Sequence, residues 1–224
     1  MSAAISLVMD DRIEILSDTL ILDMAGVMIG LSPKTILLPG LRAAVTVRGE
    51  TIPVSNFMAE YVIPNMCAEM DFDDAIDKLR LALLKSRRAC PLPPTSLFLI
   101  SGWGKRFGFR NFAVATGDND FGMAPMVLQE LEDLWISGNG EELAAGLSYQ
   151  SLECGLENVG HRFFQAFRKP ADMPNYPGTA ATTVGGQLLL TTITEAEITQ
   201  RVVGYWPDFL GKRADPERRF VPVL

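Results

Sequence analysis

Three residues near the start of the chain, Ser2, Asp18 and Lys34, could together activate a serine hydroxyl. A serine at a mature N-terminus carries its own base, because the free α-amine has an ordinary pKa of about 7.7–8.0 and can take the hydroxyl proton directly or through water. A nearby lysine would favour the developing anion, and a carboxylate would orient and neutralise that lysine. This chemistry needs no histidine, but it requires removal of Met1, since a retained methionine would turn the amine into an amide with no basicity.

Strands and the turns between them must bring these residues together, and the first fifty residues are typical of a sheet. Runs of β-branched and aliphatic residues predict strands at 3–9, 13–16, 28–30, 35–38 and 41–47, with a turn at Pro39-Gly40. The pattern then becomes helical. One helix is predicted over 54–66, and a second begins near Asp71 or Asp73 and carries Ile76, Leu79, Leu83 and Leu84.

The second half of the chain continues the alternation of sheet and helix. A hairpin is predicted from strands at 96–101 and 107–115 around a turn at 102–106. Residues 125–136 fit a helix or a strand, and we favour a strand. A helix carrying Leu156, Val159, Phe163 and Phe167 follows, then a proline-rich loop at 170–177 and a last strand at 187–193. The order predicts one α+β domain spanning 1–224, with 205–224 as a loop-like C-terminal extension.

Composition excludes several classes of partner. Hydrophobic residues make up 48% of the 224 residues, which suits a globular core. The formal net charge of −7 argues against nucleic-acid binding, which needs a concentrated basic surface. No apolar run is long enough to cross a bilayer. The first residues lack the positively charged segment of a signal peptide, and Asp10, Asp11 and Arg12 interrupt the apolar stretch that follows. We therefore expect a cytoplasmic protein without a signal peptide.

Cysteine and histidine usage predicts neither a metal site nor a cofactor site. The three cysteines, Cys67, Cys90 and Cys154, are widely spaced, which favours buried thiols over disulfides or zinc ligands. The single histidine, His161, cannot build a multi-histidine centre. It has no nucleophile-elbow serine to serve, so we interpret it as a helix-surface or core residue. Gly102-x-Gly104 and Gly138-x-Gly140 lack the rest of a dinucleotide fingerprint and are interpreted as turns.

The segments Ser2–Leu7, Ser17-Asp18, Pro33-Lys34 and Ala43–Gly49 resemble the opening of proteasome β-type subunits and their bacterial relatives. In that family an N-terminal threonine is followed by a catalytic aspartate and lysine, and the separations here match without a gap. The resemblance implies a four-layer αββα sandwich of the N-terminal-nucleophile (Ntn) hydrolase type. It also implies that the protein forms a homo-oligomeric ring or stacked ring.

The resemblance further implies a role for each site residue. Ser2 would be the nucleophile, with Asp18 and Lys34 as its electrostatic support. Gly49 would donate its backbone N–H to an oxyanion, and Ser137, in a serine-glycine turn, would assist the terminal amine. The substrate would be a polypeptide or another amide, and an ATPase unfoldase partner stays open.

The sequence also departs from the family pattern. Serine replaces the usual threonine, Leu20 stands where an arginine is common, and residues 182–186 contain no carboxylate where the family has a second acid. These departures keep an alternative open, a catalytically inactive proteasome-like subunit with an assembly or interaction role. An unrelated α+β fold with a small-molecule role is the third hypothesis.

Overall fold

Two antiparallel sheets dominate the computed structural model, which describes residues 3–49, 51–66, 70–86, 96–117, 122–137, 149–173 and 176–223. The strands are β1 Ala4–Val8, β2 Arg12–Asp18, β3 Leu20–Leu22, β4 Met28–Leu31, β5 Thr35–Leu38, β6 Ala43–Arg48, β7 Leu97–Gly104, β8 Gly108–Ala115, β9 Gln129–Glu130, β10 Leu134–Ser137, β11 Ala171–Met173, β12 Tyr176–Ala181, β13 Gln187–Thr194, β14 Ile198–Tyr205 and β15 Val221–Pro222. The six-stranded sheet has the order β10-β1-β2-β13-β14-β15, and the five-stranded sheet has the order β5-β6-β7-β8-β9. The pairs β3–β4 and β11–β12 are separate hairpins.

The helices fall in two groups. Their bounds are α1 Thr51–Phe57, a π-helical turn Met58–Val62, α2 Ile63–Asn65, α3 Phe72–Ser86 and α4 Leu156–Phe167, with 3₁₀ turns at Pro39–Leu41 and Tyr149–Cys154. Asp71 caps α3, because its carboxylate accepts the Asp73 N–H at 3.1 Å. Glu14 of β2 accepts the Leu156 N–H at 2.5 Å, which places a carboxylate at the positive end of α4. The predicted helices are confirmed.

The three largest clusters of buried side chains among the described residues join the helices and the sheets. The first joins α1, α3 and the five-stranded sheet, and its aromatic members are Phe57, Phe72, Phe98 and Phe112. The second joins α4 to the six-stranded sheet and includes Phe163, Phe164, Phe167, Leu16 and Leu188. The third takes residues from both sheets, namely Ile13, Ile15, Ala44, Leu99 and Ile193. Burial of this apolar surface holds the helices on the sheets and the sheets on each other.

Strand β2 lies inside the six-stranded sheet, between β1 and β13. Its side chains alternate, so that Ile15 joins the cluster shared by the sheets while Leu16 joins the α4 cluster. At its end Asp18 is paired in register with Leu188 of β13. The strand therefore carries a carboxylate from the core to one end of the sheet.

The predicted turn at 102–106 is wrong, because Gly102 and Gly104 lie inside β7 and the turn covers residues 105–107. The glycines are explained by packing. A Cβ at Gly102 would collide with the ring of Phe72, and a Cβ at Gly104 would collide with the carboxylate of Asp73. Helix α3 approaches the strand closely at these two positions.

The C-terminal part is more regular than predicted. Residues 198–205 form β14, which pairs with β13 from Gln187↔Tyr205 to Ile193↔Ile198. The loop predicted at 170–177 contains β11 and the start of β12. The region 125–136 holds two short strands, β9 and β10, where one strand was favoured.

The prediction of buried thiols is wrong for Cys154, which is exposed at the end of a 3₁₀ turn. Cys67 and Cys90 lie outside the described residues. Across the part of the chain that the structure describes, no helix has both the length and the apolar content that a membrane span requires.

Candidate active site around Asp18 and Lys34

Asp18 and Lys34 form a buried ion pair at the end of β2. The Lys34 Nζ atom lies 2.7 Å from Asp18 Oδ1. The same oxygen accepts the Ala3 N–H at 3.2 Å. The other oxygen, Oδ2, accepts the N–H groups of Leu20 and Gly185, each at 3.2 Å. One ammonium and three backbone donors thus hold this carboxylate in a fixed orientation.

Burial lowers the pKa of Lys34 below its ordinary value of 10.5. Removing water from the ammonium is the largest cause. The positive charge of Arg48 lowers the pKa of Lys34 further, while the attraction and hydrogen bond of Asp18 oppose both effects. Lys34 therefore loses its proton more readily than a solvated lysine does, while the Asp18 carboxylate favours its charged form.

A buried chain of hydroxyl groups fixes Thr35, the residue that follows Lys34. Ser17 Oγ and Thr35 Oγ1 are 3.0 Å apart, and Thr35 Oγ1 and Thr46 Oγ1 are 2.9 Å apart. The chain links β2, β5 and β6 where the two sheets meet. The Val47 N–H also donates to the Lys34 carbonyl at 2.8 Å. Lys34 is thus fixed to both sheets.

Ser137 and Gly49 lie at the same end of the two sheets. Ser137 ends β10 and is paired in register with Ala4 of β1. Its buried hydroxyl accepts a hydrogen bond from Arg48 Nη1 at 2.6 Å. Gly49 directly follows β6 with φ of +147°, and a Cβ there would collide with Ser96. This residue must be glycine on both grounds.

The structure describes four of the five predicted site residues. Asp18 contacts Lys34, and Ser137 contacts Arg48, the residue before Gly49. Ser2 lies outside the described residues, as do Met1 and Gly138. Ala3 is the nearest described residue, and its N–H belongs to the peptide group that links it to Ser2. Because that N–H donates to Asp18, the backbone next to Ser2 is held against the ion pair.

Sequence reasoning missed several groups at this site. The N–H groups of Leu20 and Gly185 and the side chain of Arg48 contact the predicted residues, yet none was predicted. Backbone donors leave no trace in residue types, and the Gly185–Asp18 contact spans 167 positions. Only Arg48, beside the predicted Gly49, could have been suspected from its position.

Neither a metal site nor a histidine site competes with this arrangement in the described parts of the chain. They contain no group of three or more histidine, cysteine or acidic residues placed to hold a metal ion. His161 lies on α4 and stacks on Phe220, with 5.2 Å between ring centroids. Burial, with a smaller contribution from Arg162, lowers the pKa of His161. This placement agrees with the interpretation of His161 as a helix-surface or core residue.

Comparison with known proteins supports the fold. The structure is similar to that of an Anbu (Gly-1) mutant from Hyphomicrobium sp. strain MC1, with a TM-score of 0.61 and 13% sequence identity. The match covers 90% of this chain and 88% of the other. Anbu is a bacterial proteasome-like protein of the Ntn-hydrolase type. The fold is proteasome-like. No protein-family model and no curated protein matches the sequence.

Proposed function

We propose that this protein is a proteasome-like Ntn hydrolase that cleaves peptide or other amide bonds with Ser2 after removal of Met1. The observation that carries the proposal is the hydrogen bond from the Ala3 N–H to Asp18, beside the buried Lys34. It places the residue following Ser2 directly on the ion pair. The proteasome-like fold supports the same conclusion, although fold alone does not define activity.

The proposed reaction uses the groups at this end of the sheets. The free α-amine of Ser2 takes the hydroxyl proton, and Oγ attacks the carbonyl carbon of the substrate. The C–N bond then breaks, the amine leaves with that proton, and an acyl-enzyme ester remains. The α-amine of Ser2, again free of its proton, then deprotonates a water molecule. This water hydrolyses the ester, and the proton returns to the Ser2 oxygen to restore the hydroxyl.

Lys34 and Gly49 stabilise charge in this scheme. Lys34 provides positive charge beside the Ser2 oxygen, and Asp18 holds its Nζ atom in place at 2.7 Å. The Gly49 N–H donates to the oxyanion of the tetrahedral intermediate. Ser137, fixed by Arg48, orients the terminal amine through its hydroxyl. Donors and charges that are fixed before the reaction reduce the reorganisation that accompanies it, which supports these roles.

The proposal extends to the assembly. The three buried clusters support a four-layer αββα order, with α1 to α3 on one outer side and α4 on the other. We further propose a cytoplasmic homo-oligomer, a ring or stacked ring, that acts on polypeptide or amide substrates. An ATPase unfoldase partner is left open within this proposal.

A catalytically inactive subunit with an assembly or interaction role is the second candidate. The loop at 182–186 contains no carboxylate, and the acid that contacts it, Asp208, is paired with Arg168. Among the described residues, the loop therefore offers no free carboxylate for the role of the family's second acid, since Asp208 is paired with Arg168. This observation favours the second candidate if Ser2 proves inert.

Intact mass and N-terminal sequencing of untagged protein make the first test, followed by hydrolysis of a panel of fluorogenic peptide amides. We expect chains that begin at Ser2 and an activity that Ser2→Ala abolishes while the protein remains folded. A matched control is Ser32→Ala, which removes an exposed hydroxyl in the same half of the chain. Chains that uniformly retain Met1, or an activity unchanged in Ser2→Ala, would refute the hydrolase proposal.

A further inference from the structure

A second buried ion pair, between Arg168 and Asp208, lies close to the candidate site. Both side chains are fully buried. The Arg168 Nη1 and Nη2 atoms donate to the two Asp208 oxygens, each at 2.9 Å, so the pair is bidentate. Arg168 follows α4, whereas Asp208 follows β14. The pair therefore joins two segments that are 40 positions apart.

The two residues of the pair hold the loop at 182–186 at three points, two through their side chains and one through the Arg168 backbone. Arg168 Nη1 also donates to the Val184 carbonyl at 2.8 Å. The Gly186 N–H donates to Asp208 Oδ2 at 3.3 Å. The Thr182 hydroxyl donates to the Arg168 carbonyl at 3.0 Å. The loop is thus fixed on both sides of Gly185.

Gly185 is the residue through which this loop reaches the candidate site. Its N–H donates to Asp18 Oδ2, while the neighbouring Gly186 N–H donates to Asp208. A Cβ at Gly185 would collide with Asp208 Oδ2 and would also crowd Arg168 Nη1, which shows how closely the pair packs on this peptide. Two adjacent N–H groups therefore point at two different carboxylates, one in each ion pair.

The C-terminal segment from Trp206 to Val223 takes part in the same contacts. Arg168 Nη2 donates to the Asp215 carbonyl as well as to Asp208. Trp206 lies 5.2 Å from the guanidinium of Arg168, measured to its ring centroid, and its indole N–H donates to Gln165 at 2.8 Å. This segment, expected to be a loop-like extension, is thus linked to the site through one arginine.

We propose that Arg168 and Asp208 are positioning residues for the reaction at Ser2. Together they fix the peptide of Gly185 so that its N–H orients Asp18, and Asp18 in turn orients Lys34. The inference rests on the proposed hydrolase function for its catalytic consequence. Its structural step, the dependence of the Gly185–Asp18 bond on the pair, does not rest on that function.

Two variants test the proposal. Asp208→Glu keeps both charges but moves the carboxylate by one methylene, so it cannot serve Arg168 and the Gly186 N–H in the present geometry. The double variant Arg168→Met with Asp208→Leu removes both charges together, which proteins often tolerate when the replacements fill the space. Asp73→Asn is the matched control. It changes another buried carboxylate that accepts a backbone N–H, that of Arg106 at 2.9 Å, away from the site.

The readout that needs no activity is hydrogen exchange of the Gly185 amide, measured by NMR and compared with amides of β2. We expect both variants to exchange Gly185 about tenfold faster while the β2 amides stay protected, and Asp73→Asn to leave Gly185 unchanged. Unchanged Gly185 exchange in a folded variant would overturn the proposal. So would equal acceleration in Asp73→Asn, because the effect would then be global.

Hydrolysis supplies the second readout. We expect kcat to fall about tenfold with KM unchanged in both variants, since the Gly185 N–H is engaged by Asp18 and the effect acts through that carboxylate. A raised KM with unchanged kcat would contradict a positioning role. If the unsubstituted protein hydrolyses nothing, the proposed function fails, while Gly185 exchange still tests the dependence on Arg168 and Asp208.

Discussion

The two buried ion pairs of this protein are built from different cations and surrounded differently. Lys34 pairs with Asp18 through a single 2.7 Å contact and lies near a second cation, Arg48. Arg168 pairs with Asp208 through two contacts and also donates to two carbonyl groups. Burial and a neighbouring positive charge thus disfavour the charged form of Lys34. The Arg168 guanidinium instead makes four hydrogen bonds through Nη1 and Nη2, and its buried Nε atom has no hydrogen-bond partner among the described residues.

The two ion pairs therefore suit different roles, the lysine pair in the proposed reaction and the arginine pair in holding the backbone. A lysine can release a proton when burial and a like charge lower its pKa, as they do for Lys34. An arginine keeps its proton in proteins, and its planar group suits fixed bidentate contacts. The Lys34 pair is suited to assist a reacting hydroxyl, and the Arg168 pair is suited to hold backbone in place. Gly185 and Gly186 connect the two pairs.

The largest expected effect is on catalysis at the lysine pair. Lys34→Met removes the charge that the proposed function uses to stabilise the reacting hydroxyl, and we expect kcat/KM for peptide amides to fall about a thousandfold, which corresponds to about 4 kcal/mol. Steady-state kinetics on the folded variant, verified by circular dichroism, measures this loss.

The matched control for that variant is Lys78→Met, which removes an exposed lysine on α3. Its kcat/KM should equal that of the unsubstituted protein. Retention of full activity in Lys34→Met would show that the lysine pair is structural like the arginine pair.

The next largest effect is on stability at the arginine pair. Arg168→Met leaves Asp208 buried without its cation, and we expect it to lower the free energy of unfolding by about 3–5 kcal/mol. Adding Asp208→Leu should restore most of the loss, because neither charge is then buried alone. Urea denaturation of the single and double variants measures both values. A double variant as unstable as Arg168→Met would mean that the pair itself stabilises the fold.

The smallest effect is a difference in pH dependence. In the unfolded chain Lys34 titrates near its ordinary 10.5, and in the folded protein its pKa is lower. Between those two values the unfolded state binds more protons, so the free energy of unfolding should rise with pH, by at most about 1.4 kcal/mol per pH unit. Below the folded pKa this contribution no longer changes with pH.

Urea denaturation at a series of alkaline pH values up to 10.5 measures this slope for the unsubstituted protein and for Lys34→Met. The rise should disappear in the variant. The Arg168 pair contributes no such slope, because arginine stays protonated in both states. An identical slope in both proteins would contradict a lowered pKa at Lys34.

Most strands of the first 48 residues could be predicted from the sequence. Five of the six follow from aliphatic and β-branched runs, whereas the three-residue β3 was not predicted. Asp18 and Lys34 were indicated by the chemistry of an activated serine and by the resemblance, and the structure pairs them. The resemblance to proteasome β-type subunits added Gly49 and Ser137, which lie at the same end.

The second half could not be predicted as well, for physical reasons. Strand β14 carries Thr199, Gln200 and Arg201 and is half-exposed, so its hydrophobic pattern is weak and pairing with β13 decides its structure. Gly102 and Gly104 suggested a turn, but close approach of α3 explains them. The Arg168–Asp208 pair depends on tertiary contacts that no local pattern records.

The hydrogen bond from Gly185 to Asp18 has a consequence for biosynthesis. Translation releases the N-terminal strands first, whereas one donor of the Asp18 carboxylate lies 167 residues further along the chain. While the ribosome is still adding the segment that ends in β13, the Asp18 carboxylate lacks the Gly185 donor. The order of synthesis therefore separates the emergence of Asp18 and Lys34 from completion of the contacts that fix the Asp18 carboxylate.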